Sequence, residues 1–268
     1  MNMTKKLVIG ISKTKRRKIL AKGGIDSVKV GDHYIVTNDN IQEIGEVLKE
    51  KPASSGREMN WSIVREAGDQ DLLQQEINQE QADKAINVAQ QFADKRSLQM
   101  KVIGSEYSLE KAQLKFYFKS PHRVDFRGLV KALAHKYSTR IELEQVGPRE
   151  AASIIGGLGR CGRELCCRRF LYEPGPIPME IAEKQGLSVS PDRLTGVCGR
   201  LLCCLEYELE DYVESLKKMP DKGSDVKSPG GNGIVVKRNV QKKTLRVKLN
   251  DEEVKEFSLD EVELLDAG

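Results

Sequence analysis

The string CGRELCC at Cys161–Cys167 returns as CGRLLCC at Cys198–Cys204, and all six cysteines of the chain lie in these two strings. The offsets are equal, since 161 to 198, 166 to 203 and 167 to 204 are each 37 positions. A regular helix through one unit would turn ~500° over five residues, setting Cys161 and Cys166 ~140° apart and Cys166 and Cys167 ~100° apart. Three thiols so spaced do not aim at one point, so the backbone must break regularity inside the unit. Gly162 permits that break, placing Cys161 in a loop over a helix that begins near Glu164.

The spacing C-x₄-C-C differs from the C-x₂₋₄-C pairs of structural zinc sites and from the C-x₂-C-x₂-C run of bacterial ferredoxins. Iron–sulfur clusters require only four thiolates converging from any elements, however, and two units offer six. One complete site with two spare thiols and incomplete sites finished by partner chains both follow from that count. The flanking Arg160, Arg163, Arg168, Arg169 and Arg200 would favour thiolates and offset a cluster's negative charge, or pair with acids such as Glu164 and Glu206. Free cysteines also serve as small buried hydrophobes, but duplication of the whole string argues against that reading here.

The apolar run Leu7–Ile11 is too short for a signal-peptide core, and no stretch approaches membrane-spanning length, so a cytoplasmic protein without membrane insertion is expected. Thiols stay reduced there, which favours metal binding over disulfides. A net charge of +4 is too mild to imply nucleic-acid binding by itself.

With 268 residues, two or three modules are expected. The chain reads as α+β. A β module over 1–50 precedes a 60–219 core of ferredoxin-like α/β sandwich type carrying the cysteine units, and an SH3-like barrel follows over 222–268. The segment KPASSGRE at 51–58 has linker composition. A long helix follows it, with Leu73, Ile77, Ala85, Ala89 and Phe92 mostly on one face, and Asp125 is placed to cap the next helix. The second unit runs into an amphipathic seam of Leu202, Leu205, Leu209, Tyr212 and Leu216. The basic run SKTKRRK (12–18) reads as a solvated hairpin before it reads as a phosphate-contacting patch, and Lys237, Arg238, Lys242 and Lys243 are candidate RNA contacts in the C-terminal module.

Catalytic residues are not expected. His33, His122 and His135 stand in no recognisable motif with a cysteine, and neither a Walker loop nor a G-x-G-x-x-G fingerprint occurs. The chain is therefore read as non-enzymatic, with a thiol-dependent enzyme ranked last.

With REAASIIGGLGRCGRELCC carrying the first unit and LTGVCGRLLCCLEYE the second, the chain resembles the YaaT (RicT) family of bacterial proteins, which share a polymerase-suppressor-type C-terminal domain. The resemblance implies a regulatory or scaffold subunit that joins small helical partners of the YmcA and YlbF (RicA and RicF) type. It further implies an iron–sulfur-containing complex directing messenger-RNA maturation by ribonuclease Y, with effects on sporulation, competence and biofilm formation. Carried onto this sequence, the implied cluster ligands are drawn from Cys161, Cys166, Cys167, Cys198, Cys203 and Cys204, with [4Fe–4S] as the expected cofactor and zinc as the alternative. The rival reading is an RNA-binding protein working through its terminal β modules, with zinc-bound or structural cysteines.

Overall fold

Alternating apolar residues near the N-terminus build five strands: β1 (Lys5–Ile11), β2 (Arg17–Gly23), β3 (His33–Asn38), β4 (Ile41–Lys51) and β5 (Trp61–Glu66). They run in the order β1-β2-β5-β3-β4, and β4 returns to β1, closing a barrel. Leu7, Ile9 and Ile11 fill its interior with Tyr34, Val36 and Val47 at period-two spacing, while Val8 and Ile35 between them are buried as well. β5 lies past the 50-residue boundary expected for this module. Its ladders to β2 and β3 draw it into the barrel.

The computed structural model describes residues 5–11, 14–15, 17–23, 28–38, 41–51, 61–171, 174–187, 191–250 and 253–265. Most of the 51–58 linker, Pro52–Glu58, therefore lies outside the described residues. The chain divides into two units, residues 1–176 with 195–200 and residues 177–194 with 201–268. No helix among the described residues is long and apolar enough to cross a membrane.

In the first unit the barrel is followed by α1 (Asp69–Asp94), which holds neither Pro nor Gly over 26 residues. Asp71, in its first turn, accepts the Gly68 N–H at 2.9 Å and the Arg65 guanidinium at 2.6 and 2.9 Å. Arg65 chiefly, and the Gly68 N–H after it, hold the Asp71 carboxyl below the usual carboxylate range. The buried stripe of α1 includes the expected Ala85 and Ala89, with Phe92 partly buried against the same core, and departs from expectation only at the start of the helix. Asn78, Ala82, Ala85, Ala89 and Ala93 face the sheet, whereas Leu73 and Ile77 are 59% and 40% exposed. Small residues win because the helix lies close over bulky Phe116 and Phe118, leaving no depth for a leucine. Ala89→Leu is expected to cost about 1–3 kcal/mol by overpacking, while Leu73→Ser stays within about 0.5 kcal/mol of wild type. Urea unfolding of the two variants checks the contrast.

Next come β6 (Lys101–Tyr107), β7 (Gln113–Lys119), α2 (Arg127–Tyr137), β8 (Arg140–Gln145) and α3 (Pro148–Ile155). β6 pairs antiparallel with β7, and β7 pairs parallel with β8. The α+β architecture is thus observed, but among the described residues the sheet has three strands rather than the four of a ferredoxin-like sandwich. The strand just before α1 is committed to the barrel. Asp125, the expected cap, lies one position ahead of the capping residue: that residue is Phe126, and Asp125 Oδ1 accepts the Arg127 N–H at 3.1 Å.

Alternation gives the sheet two different faces. Leu114, Phe116, Phe118 and Ile141 pack under α1 and α2. The opposite face carries Gln113, Lys115, Tyr117, Glu142 and Glu144, and Tyr117 packs there with Val146, Ala151 and Ile154 beside α3. Thr14 and Lys15, from the turn between β1 and β2, also reach this face. Lys15 Nζ binds Glu144 and lies 3.2 Å from Glu150, and the Lys15 side chain is only 9% exposed. Thr14 Oγ1 donates to Ser105 O at 3.1 Å. A Cβ at Gly104 would meet Thr14 Cγ2 and Ile154 Cγ2 at 2.8 Å, so glycine is what lets the turn approach. The basic run 12–18 is therefore not a freely solvated hairpin at its centre. Ser12, Lys13 and Arg16 lie outside the described residues.

The second unit holds α5 (Glu180–Lys184) and α6 (Pro191–Leu194), which follow the short α4 (Cys166–Arg169) of the first unit, and then α7 (Cys203–Tyr207) and α8 (Leu209–Lys217). Ile181, Ala182, Leu194 and Leu205 form its small helical core. The expected continuous seam is divided, because α7 ends and α8 starts at Glu208, and α8 has no fully buried residue. The C-terminal strands β9 (Asp225–Ser228), β10 (Gly231–Asn239), β11 (Thr244–Leu249), β12 (Val254–Ser258) and β13 (Glu263–Leu264) form one sheet in the order β12-β11-β10-β9-β13. That is the SH3-like order, with a 3₁₀ turn at Leu259–Glu261 before the last strand. Among the described residues no ladder joins β12 to β13, so the module is an open sheet around Val226, Val235, Leu245 and Val247.

Candidate functional site

The two cysteine units fold alike. In the first, Gly159 N–H donates to Arg163 O at 2.8 Å, Gly162 N–H to Gly159 O at 3.0 Å and Leu165 N–H to Gly157 O at 3.2 Å. Thirty-seven positions on, Gly196 N–H donates to Arg200 O at 2.9 Å, Gly199 N–H to Gly196 O at 2.9 Å and Leu202 N–H to Leu194 O at 2.9 Å. Gly162 and Gly199 both sit at positive φ, 75° and 73°, the left-handed region in which a side chain is strained. Each turn then leads through an extended leucine, Leu165 or Leu202, into a short helix whose first two residues are cysteines. The glycine break read from the sequence is therefore present twice, and the helix begins at Cys166 rather than near Glu164.

Each unit presents one thiol on its turn and two at the start of its helix. Cys161 is exposed, Cys167 is buried, and Cys166, Cys198, Cys203 and Cys204 are half-buried. Cys161, Cys166, Cys167 and Cys198 belong to the first unit of the chain, and Cys203 and Cys204 to the second. Among the described residues no three Cys, His, Asp or Glu side chains converge as a single metal ion would require. Each cysteine unit by itself holds three thiols, one short of the four that a cluster requires.

The flanking arginines divide by role. Arg168 donates to Ser153 O and Ile154 O, both at 2.9 Å, and so satisfies carbonyls left over at the end of α3. Its guanidinium also lies 3.5 Å from Glu164. Ser153 Oγ in turn donates to Cys167 O at 2.8 Å, tying α4 to α3. Arg160, Arg163, Arg169 and Arg200 are exposed beside the thiols. The position of Arg168 is occupied in the second unit by Leu205, buried in the helical core, while Gln185 Nε2 donates to Leu205 O at 2.6 Å. The same turn is thus anchored by polar contacts once and mainly by apolar ones the second time. Sequence reasoning missed these anchors, and the departure from identity just past the second cysteine pair, RRF against LEY, was the available signal.

Of the candidate RNA contacts, Lys237, Lys242 and Lys243 are exposed, the last two in the turn between β10 and β11. Arg238 is instead partly covered and donates to Asp221 Oδ1 at 2.8 Å.

The PSP1 C-terminal conserved region matches residues 61–146, which run from β5 to the end of β8, and the third domain of PSP1-like proteins matches residues 176–219, which include the second cysteine unit. No solved structure matches the chain. The uncharacterized protein PB7E8.02 of Schizosaccharomyces pombe is 40% identical over 58 residues, covering 22% of this chain and 8% of its own. The stage 0 sporulation protein YaaT of Bacillus subtilis is 40% identical over 207 residues, 77% of this chain and 74% of its own. Identity at that level across most of both chains means that this chain belongs to the YaaT family.

Proposed function

We propose that this protein is a non-enzymatic, cytoplasmic regulatory subunit whose two cysteine units each supply part of the ligand set of an iron–sulfur cluster, completed on assembly with partner chains. The observation that carries the reading is the duplicated turn. Two segments 37 residues apart hold three thiols each on the same hydrogen-bonded scaffold. Three thiols per cysteine unit, one short of the four that a cluster requires, favour sites completed by other segments or chains. Cys161, Cys166, Cys167, Cys198, Cys203 and Cys204 are the proposed donors. Exposed Arg160, Arg163, Arg169 and Arg200 would balance the charge of bound thiolates, whereas Arg168 positions α4. A cluster, when bound, would supply sensitivity to oxidant and to iron supply.

In this reading the partners are small helical proteins of the YmcA and YlbF type, and the output is ribonuclease Y-dependent processing of messenger RNA, in keeping with the family resemblance. The sporulation role printed in the name of the Bacillus subtilis relative supports a regulatory rather than a housekeeping task.

Anaerobic purification with iron, zinc and labile-sulfide analysis tests the proposal. Iron and sulfide in near-equal amounts are expected, in the chain alone or in its co-purified complex. Colourless, metal-free protein in both preparations would overturn it. If that protein also bound RNA with an affinity falling steeply with salt, the rival reading through exposed Lys237, Lys242 and Lys243 would replace it.

A further inference from the structure

In the first unit of the chain an open groove of about 890 Å³ lies where β7, β8 and α3 meet. That is within the ~300–1,000 Å³ range of ligand sites. It sits at the carboxyl ends of the parallel pair β7 and β8, where open α/β sheets commonly hold ligands. Its walls include Val146, Ala152, Ile155 and Val197. Ile155 and Val197 are 60% and 62% exposed, so two large aliphatic side chains stand in water side by side in one depression. Clustered exposure of that kind marks interaction surfaces, unlike single scattered apolar residues.

Lys101 and Lys119 flank this apolar floor. They are directly opposed in the β6–β7 ladder, both are exposed, and neither has an ion-pair partner among the described residues. Like charges facing each other across a strand pair are destabilising, so an anionic partner would relieve the arrangement. Among the described residues no Phe, Tyr or Trp lines the groove, so they offer base stacking, the usual source of single-stranded nucleic-acid affinity, no platform there.

We propose that this groove docks an acidic peptide segment of a partner protein, with aliphatic side chains against Ala152, Ile155 and Val197 and carboxylates over Lys101 and Lys119. The proposal does not depend on the metal reading. In the reduced, metal-free chain Cys198, on the wall of the groove, reports occupancy through its reactivity.

The experiment uses the full chain and three labelled probes: a synthetic peptide of leucine and glutamate in helical alternation, the same peptide with lysine replacing glutamate, and oligouridylate of equal length. Binding is read by fluorescence anisotropy and by the alkylation rate of Cys198, with exposed Cys161 as the control. The acidic peptide is expected to bind and to slow alkylation of Cys198 but not of Cys161. Lys101→Glu combined with Lys119→Glu, and separately Ala152→Trp, are each expected to weaken it about tenfold or more, roughly 1.4 kcal/mol. The exposed lysine pair leaves folding intact even if the tryptophan variant does not. No binding of the acidic peptide, or binding unchanged by the lysine substitutions, overturns the proposal. Preferential binding of oligouridylate lost on those substitutions also overturns it, in favour of a nucleic-acid surface.

Discussion

Lys15→Glu is expected to lower stability by about 3 kcal/mol, and Lys15→Met by about 1 kcal/mol. The glutamate variant places a third carboxylate against Glu144 and Glu150, while the methionine variant only removes the cation. Both acids are partly solvated, 30% and 41% exposed, and Glu144 keeps Lys115 at 3.9 Å, so loss of the cation alone is mild. Burial pushes the Lys15 ammonium down from its ordinary 10.5, but the hydrogen bond and charge of Glu144, with those of Glu150, outweigh burial and leave it raised. A raised cation contributes fully below 10.5 and loses its contribution as pH climbs through the raised value. The difference between wild type and Lys15→Met is therefore constant across the neutral range and shrinks in strong alkali. Urea unfolding at several pH values measures this, and a Lys15→Glu variant as stable as wild type would mean that the turn is not held on the sheet.

That contact has a bearing on the cysteines. Glu150 lies on α3, and the end of α3 is gripped by Arg168 of the first cysteine unit. One short helix is thus fixed at its start from the barrel and at its end from the thiol-bearing turn. The two contacts are separated by the eight residues of that helix.

The elements of this fold were legible from the sequence to the extent that their patterns are local. The long run without Pro or Gly gave α1, period-two alternation gave the strands of the C-terminal sheet, and helical geometry with Gly162 gave the broken cysteine unit. What escaped depends on neighbours distant in sequence. Leu73 and Ile77 satisfy an amphipathic pattern, yet the core around Phe116 and Phe118 is met chiefly by the alanines of α1. Lys15 looks like any solvated cation until Glu144, more than a hundred residues later, is brought under it. The duplication itself was visible at once, but its two different anchors were not, because they are made by residues outside the repeated string.

Leu205→Ala is expected to cost about 3 kcal/mol, since it empties a buried site among Ile181, Ala182 and Leu194. At the equivalent position Arg168→Ala removes two hydrogen bonds from a charged donor and is expected to cost about 2 kcal/mol. The two losses are distinguishable beyond their size. Raised salt screens the guanidinium's contacts and narrows the gap between wild type and Arg168→Ala, whereas apolar burial at Leu205 is not weakened by screening. Alkylation mapped by mass spectrometry reads the local consequence: Leu205→Ala should speed reaction at Cys203 and Cys204 and leave Cys166 and Cys167 unchanged, and Arg168→Ala should do the reverse. Independent responses follow from two copies of one turn seated on separate supports. If either substitution released all four thiols together, the copies would instead open as one cooperative element, and a ligand bound to one would be expected to order the other.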